Sequence, residues 1–308
     1  MKDISAIIIN YNSSAFTVNC IKSILEKTTN SISYELIIVD NASEHEDFKK
    51  LKDAINKLNL PNLKLVRSRY NTGFGGGNMF GVQFANAKQY AFINNDTILQ
   101  NDCLNIVFNF LENNAEAAIC CPQQYNEVGE VQKSFDHFLS LKRELFGRKI
   151  LEKINPTKYP KRQKVYAQPL KVQSVPGSFL VVKAEQFHKV GGFDTNIFLY
   201  YEETDLCYRI AKNSKKGDCY LVPEGKFTHF KGQSTEKSFA IKKELKISLL
   251  YVLRKNSGYF AYQILRWWLT VKFFFKTLIK PKSFPLFLLF LKGAPISASL
   301  KQKQIIAD

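Results

Sequence analysis

ISAIIINYNSSAFTVNCIKSILEKTTNSISYELIIVD, residues 4–40, decides the fold class of this chain. ISAIII (4–9) is a continuous apolar run, the pattern of a strand buried on both faces. FTVNCIKSILEK (16–27) sets Val18, Ile21, Ile24 and Leu25 on one helical face. ELIIVD (35–40) is then a second two-sided strand, and it ends on an acid. A strand, a crossover helix and a second buried strand form a unit that only a parallel sheet accommodates.

The same alternation continues outward. EHEDFKKLKDAINKL (44–58) predicts an amphipathic helix, LKLVRS (63–68) a third strand, and YAFINND (90–96) a fourth, with a helix running from the glycine-rich segment through about residue 88. CLNIVFNFLEN (103–113) is helical in pattern and AAICCP (117–122) strand-like. Ligands of such sheets bind at the carboxyl ends of the strands, where Asp40, Arg69 to Asn71, and Asp96 fall. Residues 136–171 read as a long, basic, partly helical insertion, after which VQSVPGSFLVVKAEQF (172–187) returns to strand and helix. No internal repeat or low-complexity tract is visible.

The 308 residues suffice for one large core with an appendage, and 45% hydrophobic content with 13% aromatics excludes a disordered chain. The net charge of +17 is regional. Residues 133–171 contribute +8 and residues 226–308 contribute +13, leaving −4 for the rest. Basic regions face phosphates, of nucleic acid or of anionic lipid. In the C-terminal part the cations alternate with Phe, Trp and Leu in YFAYQILRWWLTVKFFFKTLIKPKSFPLFLLFLKG (259–293), with uncharged runs well short of the roughly 20 residues that span a bilayer. Such helices lie in the headgroup layer or pack as a helical subdomain. The opening MKDISAIIINYN lacks the length and cleavage site of a signal peptide. Cys20, Cys103, Cys120, Cys121, Cys207 and Cys219 show no CxxC spacing and read as buried thiols of a reducing compartment, which points to the cytoplasm.

Three segments carry chemistry. NTGFGGGNMFG (71–81) has five glycines in eleven positions; it is neither a GxxxxGK[ST] phosphate loop nor a GxGxxG dinucleotide fingerprint. NNDT (94–97) ends a strand on Asp96, a carboxylate suited to Mg²⁺ or Mn²⁺ or, equally, to a polar turn. GGFDTNIFLYYEETDLCYRI (191–210) packs Glu202, Glu203 and Asp205 together, either as a helix start that offsets the macrodipole or as the site of a proton-abstracting base. Asp205 and Arg209 form an i,i+4 pair that fixes the helix. His229, between two Phe, is a core histidine or a metal ligand beside Asp96. His45, His137 and His188 have no such companions.

VDNAS (39–43), NTGFGGGN (71–78), NNDT (94–97), GSFLVVK (177–183), VGGFDTNIFLYYEETDLCYR (190–209) and the later THFKGQS (228–234) resemble, in order and spacing, inverting family 2 glycosyltransferases of the GT-A fold, bacterial rhamnosyltransferases above all. The resemblance covers about residues 4–235. It implies an α/β fold, a mixed sheet covered by helices like the Rossmann fold, in a domain at 1–235. Residues 1–125 would be the nucleotide-sugar half and 126–235 the acceptor and catalytic half with the basic insertion 133–171, and 236–308 would form a C-terminal amphipathic helical region. It also implies site roles. Asp40 would accept from the pyrimidine base, with Asn10 and Tyr11 lining that pocket; Asn71, Gly73, Asn78 and Asn95 would shape the donor site. Asp96 and His229 would hold Mg²⁺ or Mn²⁺. Glu203, or its neighbour Glu202, would be the base, with Asp205 and Arg209 structural. Here Glu stands where the family usually has the catalytic Asp, and the DxD element is reduced to NND.

The implied activity is a metal-dependent inverting transfer of a sugar, rhamnose from dTDP-rhamnose or another such as UDP-galactofuranose, to a glycan or polyprenyl-linked acceptor in cell-surface glycan synthesis. The enzyme would work at the inner membrane face, against anionic lipid. A nucleic-acid binder is disfavoured because no nucleic-acid fold signature accompanies the charge. A catalytically silent sugar-nucleotide binder is disfavoured by the presence of Asp96, Glu203 and His229. Nucleotidyltransfer is disfavoured because NYNSS (10–14) follows the first strand where a Gly- and Lys/Arg-rich loop belongs.

Overall fold

In the computed structural model, which describes residues 1–214, 216–230 and 238–306, the chain begins with β1 (Lys2–Asn10), α1 (Ser14–Lys27), β2 (Tyr34–Asn41), α2 (His45–Leu58) and β3 (Leu63–Ser68). The three strands pair in parallel, with Ile8 opposite Ile38 and Ile38 opposite Leu65. Alternate residues go to opposite faces. Ile4, Ala6 and Ile8 of β1 join a core under α1, α2 and the later helix that carries Leu104 and Val107, whereas Ile7, Ile37 and Val39 join a second core on the other face. Two buried faces explain why the middles of β1 and β2 show no polar alternation, whereas β3, at the sheet edge, carries Lys64 and Arg67.

α3 (Gly73–Val82) begins inside the glycine-rich segment and ends well before residue 88, where Gln83, Phe84 and Ala85 donate to the carbonyls three residues back and tighten the chain out of α-helix. β4 (Ala87–Asn94) pairs with β1, and β5 (Thr97–Leu99), α4 (Cys103–Asn113) and β6 (Ala117–Tyr125) follow. The basic segment contains α5 (Leu141–Phe146), α6 (Arg148–Ile154) and β7 (Leu170–Val172); then come β8 (Phe179–Lys183), α7 (Ala184–Lys189), α8 (Glu202–Asn213), β9 (Asp218–His229), α9 (Phe239–Ile279) and α10 (Phe284–Leu291). Among the described residues the sheet runs β3-β2-β1-β4-β8-β6-β9-β5, with β7 on β9. β8 lies antiparallel to both β4 and β6, so the sheet is mixed.

α9 bends at Gly258, whose φ of +87° only glycine adopts without strain. Its first part buries Ile247, Leu250 and Leu253 in a third core that includes Leu139 and Ile197, and its second part packs Leu265, Leu269 and Phe273 on α10. No helix among the described residues is long and apolar enough to cross a membrane. All six cysteines are buried and free.

Candidate active site

The carboxyl ends of β1, β2 and β4 open on a cavity of about 640 Å³ whose wall includes Tyr11, Asn41, Asn71, Asn95, Glu203 and His229. On one side the glycine-rich segment is locked to β2. Asn41 Nδ2 donates to Asn71 Oδ1 (3.0 Å) and to the Gly73 carbonyl (3.1 Å), while Asn41 Oδ1 accepts from Thr72 N (3.1 Å) and Thr72 Oγ1 (3.0 Å). Asn71 Oδ1 also accepts from Gly73 N at 2.9 Å. Gly73 has φ +74°, and a Cβ there would sit 1.9 Å from the Phe198 carbonyl oxygen. That same oxygen accepts from Phe74 N at 3.0 Å, so the glycine segment and the approach to the acidic cluster are one built unit. Asn78, buried, donates to the Phe74 carbonyl at 3.0 Å and stiffens α3 from within.

Asn10 and Asp40 lie behind the wall. Asn10 Nδ2 faces Asp40 Oδ1 (3.0 Å), Ser43 Oγ (3.0 Å) and Asp47 Oδ2 (2.9 Å), and its Oδ1 accepts from Thr17 Oγ1 (2.7 Å). Asp40 Oδ2 pairs with Arg67 Nε at 3.2 Å. Tyr11, 42% exposed, is the member of this group on the cavity. Asn95 Nδ2 bonds Ser13 Oγ (2.7 Å) and Thr17 Oγ1 (2.9 Å), tying β4 to α1.

Strand pairing assembles the next part. Thr97 of β5 stands opposite His229 of β9, which carries His229 Nε2 to 3.1 Å from Asp96 Oδ1. Asn94 Nδ2 is 3.5 Å from the same nitrogen. Among the described residues no group of three or more His, Cys, Asp and Glu is arranged to hold a metal ion. The KGQS stretch at 231–234 and the domain boundary expected at 235 lie outside the described residues.

Glu202 and Glu203 open α8 directly after Tyr200 and Tyr201, which have φ of +73° and +71°. Two successive bulky residues in the left-handed region are costly and mark a conformation held by its surroundings. Ser248 on α9 donates to the Leu199 carbonyl at 2.8 Å, and the buried Arg143 guanidinium lies 5.8 Å from the Tyr201 ring. Glu202 is buried, and burial, with the charge of Glu203 second, holds its carboxyl well above the usual range. Burial also lifts the half-buried Glu203, to about 7, with Asp136 adding to the rise and Arg143 opposing it. Burial and mutual repulsion thus disfavour ionising both carboxyls together, and Glu203 is the one placed to titrate near neutrality.

Asp205 takes no part in the wall. Its Oδ2 accepts from Arg209 Nε (2.7 Å) and Lys255 Nζ (3.0 Å), and Arg209 donates to the carbonyls of Val190 (2.8 Å) and Gly192 (2.7 Å). This network fixes the loop before α8 to the helix and to α9.

Several wall residues escaped sequence reasoning. Asn41 sits inside VDNAS, one position after the strand-end Asp40. Gln124, Lys133 and Ser178 come from the segments after β4, and Ile241, Leu300 and Gln304 come from the C-terminal part. Leu300 is held there by Glu244, buried on α9, which accepts from Ser299 Oγ (2.7 Å) and Leu300 N (2.8 Å), and Gln304 Nε2 donates to the Leu300 carbonyl at 2.9 Å. No sequence signal connects Glu244 to a position some fifty-five residues later.

A mixed sheet with this strand order, its cleft at the carboxyl ends of the parallel strands, defines a GT-A-type α/β protein. The chain belongs to glycosyl transferase family 2, whose model matches residues 5–187, more than half its length. It is a glycosyltransferase. It is 27% identical over 198 residues to rhamnosyltransferase WbbL of Escherichia coli, covering 60% of this chain and 71% of that protein. It is 24% identical over 228 residues to low-salt glycan biosynthesis hexosyltransferase Agl10 of Haloferax volcanii, covering 72% and 66% respectively. A crystal structure of GalNAc-T7 with UDP, GalNAc and Mn²⁺ shares the fold with a TM-score of 0.59 at 15% identity, across 81% of this chain. The chain spans about half (48%) of that structure's length.

Proposed function

We propose that this glycosyltransferase moves a sugar from a pyrimidine nucleoside diphosphate, dTDP-rhamnose first among the candidates, to a glycan or polyprenyl-linked acceptor, with inversion. The observation that carries this reading is the pairing, in one cavity, of the locked Asn41–Asn71–Gly73 unit with a carboxyl poised near neutrality. Tyr11 faces the base. Asn10 and Asp40 act through the two loops they tie together, one carrying Tyr11 and Ser13 and the other Ser43. Asn71, Gly73 and Asn95 shape the diphosphate-sugar pocket, Asn78 supports it from α3, and Lys133 supplies a cation on its wall.

The reaction asks for two things: charge neutralisation on the departing diphosphate, and removal of the acceptor proton as its oxygen attacks. Glu203 takes that proton while the acceptor oxygen bonds to the anomeric carbon and the bond to the diphosphate breaks. One base and no enzyme nucleophile give inversion. Glu202, protonated, donates a hydrogen bond at the same site. An oxygen and an imidazole nitrogen side by side suit Mg²⁺ or Mn²⁺, and Asp96 and His229 are the residues that would hold it, leaving most coordination positions to diphosphate and water. Such an ion would neutralise leaving-group charge.

Residues 1–235 form the catalytic domain in this reading, and 236–308 contribute both a wall of the acceptor side and attachment to the inner face of a membrane. The test is nucleoside diphosphate release from a panel of dTDP-, UDP- and GDP-sugars with Mn²⁺. Turnover confined to a GDP-sugar would overturn the pyrimidine assignment.

A further inference from the structure

The second part of α9 is apolar on two sides, and only one is covered. Leu265, Leu269 and Phe273 pack on α10. Phe260, Ile264, Trp267, Val271, Phe274 and Leu278 recur at intervals of four and three and are all exposed, Phe260 at 79% and Leu278 at 69%. At 1.5 Å per residue the stripe runs about 27 Å along the helix. Single exposed apolar residues need no explanation, but a contiguous stripe of this length marks an interaction surface.

Its margins say what covers it. Lys272, Lys276, Lys280 and Lys282 are exposed beside the stripe, Lys272 Nζ lies 4.6 Å from the Trp268 ring, and Arg266 lies 4.7 Å from that of Trp267. Between Glu244 and Asp308 the sequence contains no acidic residue. A second copy of the chain would bring two cationic margins together with no acid to meet them. An anionic bilayer offers phosphates to the lysines and acyl chains to the aromatics, and amphipathic helices with this arrangement bury their apolar face at that boundary.

We propose that this stripe, with Trp267 near its middle and Trp268 at its edge, is the surface by which the protein inserts into the headgroup layer of an anionic phospholipid membrane. Its use rests on the lipid-linked acceptor reading, but its existence is tested without any donor or acceptor. Trp267 and Trp268 are the only tryptophans of the chain, and both lie on the exposed side, so intrinsic fluorescence reports insertion directly.

The full-length protein is titrated with vesicles of phosphatidylcholine alone and of phosphatidylcholine with one-third phosphatidylglycerol, and co-sedimentation is measured in parallel. A blue shift and sedimentation with the anionic vesicles only are expected. The combined variant Phe260→Ser, Val271→Ser, Leu278→Ser, which alters exposed positions and keeps both tryptophans, should weaken binding at least tenfold while its thermal melting stays unchanged. Lys272→Gln with Lys276→Gln should weaken binding to anionic vesicles and make it less salt-dependent. Absence of a shift, equal binding to neutral vesicles, unchanged binding by the serine variant, or a wild-type dimer that the serine variant dissociates would each overturn the proposal. Vesicle binding without turnover of any nucleotide sugar would leave this surface standing and remove the donor reading alone.

Discussion

Glu203→Gln replaces the one wall carboxyl that ionises near neutrality with a group of the same shape that cannot take a proton. A positioned general base contributes about 10²–10⁴-fold, so kcat should fall by that factor while the affinity for nucleoside diphosphate stays within a fewfold. Glu202→Gln should behave differently. Burial and the neighbouring charge disfavour the ionised form of Glu202, so a neutral amide resembles the form they favour, and the loss should stay within about tenfold. The wild-type rate should rise with pH through about 7, since Glu203 titrates there, and should fall about tenfold for each unit below. Stability changes the opposite way. A carboxyl raised to about 7 stabilises the fold most under acidic conditions, and that contribution is lost as pH rises through 7. Glu203→Gln should therefore be more stable than wild type above pH 7, by roughly 1–3 kcal/mol. Nucleoside diphosphate release across pH 5.5 to 8.5 and urea unfolding at pH 6 and 8 measure both. Equal losses in the two variants, or a rate flat between pH 6 and 8, would refute the assignment of the two carboxyls.

Gly73→Ala meets both the positive φ and the Phe198 carbonyl, so it should cost about 2–3 kcal/mol in urea unfolding and abolish nucleotide binding, whereas Gln83→Ala, at the exposed position that follows α3, should do neither. Arg209→Ala leaves the buried Asp205 with Lys255 alone and frees the carbonyls of Val190 and Gly192; a loss of about 3 kcal/mol is expected, again by urea unfolding. Removing residues 300–308 takes Leu300 and Gln304 from the cavity wall, and donor hydrolysis by water should increase while nucleoside diphosphate affinity changes little, as measured by calorimetry beside a hydrolysis assay.

The parallel half of the fold is legible because the apolar runs in the middle of β1 and β2 are buried on both faces. The end of α3 was less legible, since its unwinding depends on where Asn86 hands the chain to β4. β8 inserts antiparallel between strands that local pattern alone cannot pair. In the site, the glycine segment and the Glu pair announced themselves by composition. The approach of His229 to Asp96 did not follow from spacing, because it is made by β5 pairing with β9. Asn10 and Asp40, prominent at strand ends, are internal ties, while Asn41 beside them reaches the wall; a one-residue difference in a strand selects the face. The wall supplied by Leu300 and Gln304 depends on Glu244, a contact between distant segments that no periodicity encodes.

The central claim, that this cavity receives a nucleoside diphosphate sugar, is tested most directly by titration calorimetry of UDP, dTDP and GDP into the full-length protein with and without Mn²⁺. The account predicts saturable binding of the pyrimidine diphosphates, tighter with the metal and lost in Gly73→Ala. Preference for GDP, or no binding of any diphosphate by the folded wild-type protein, would contradict it.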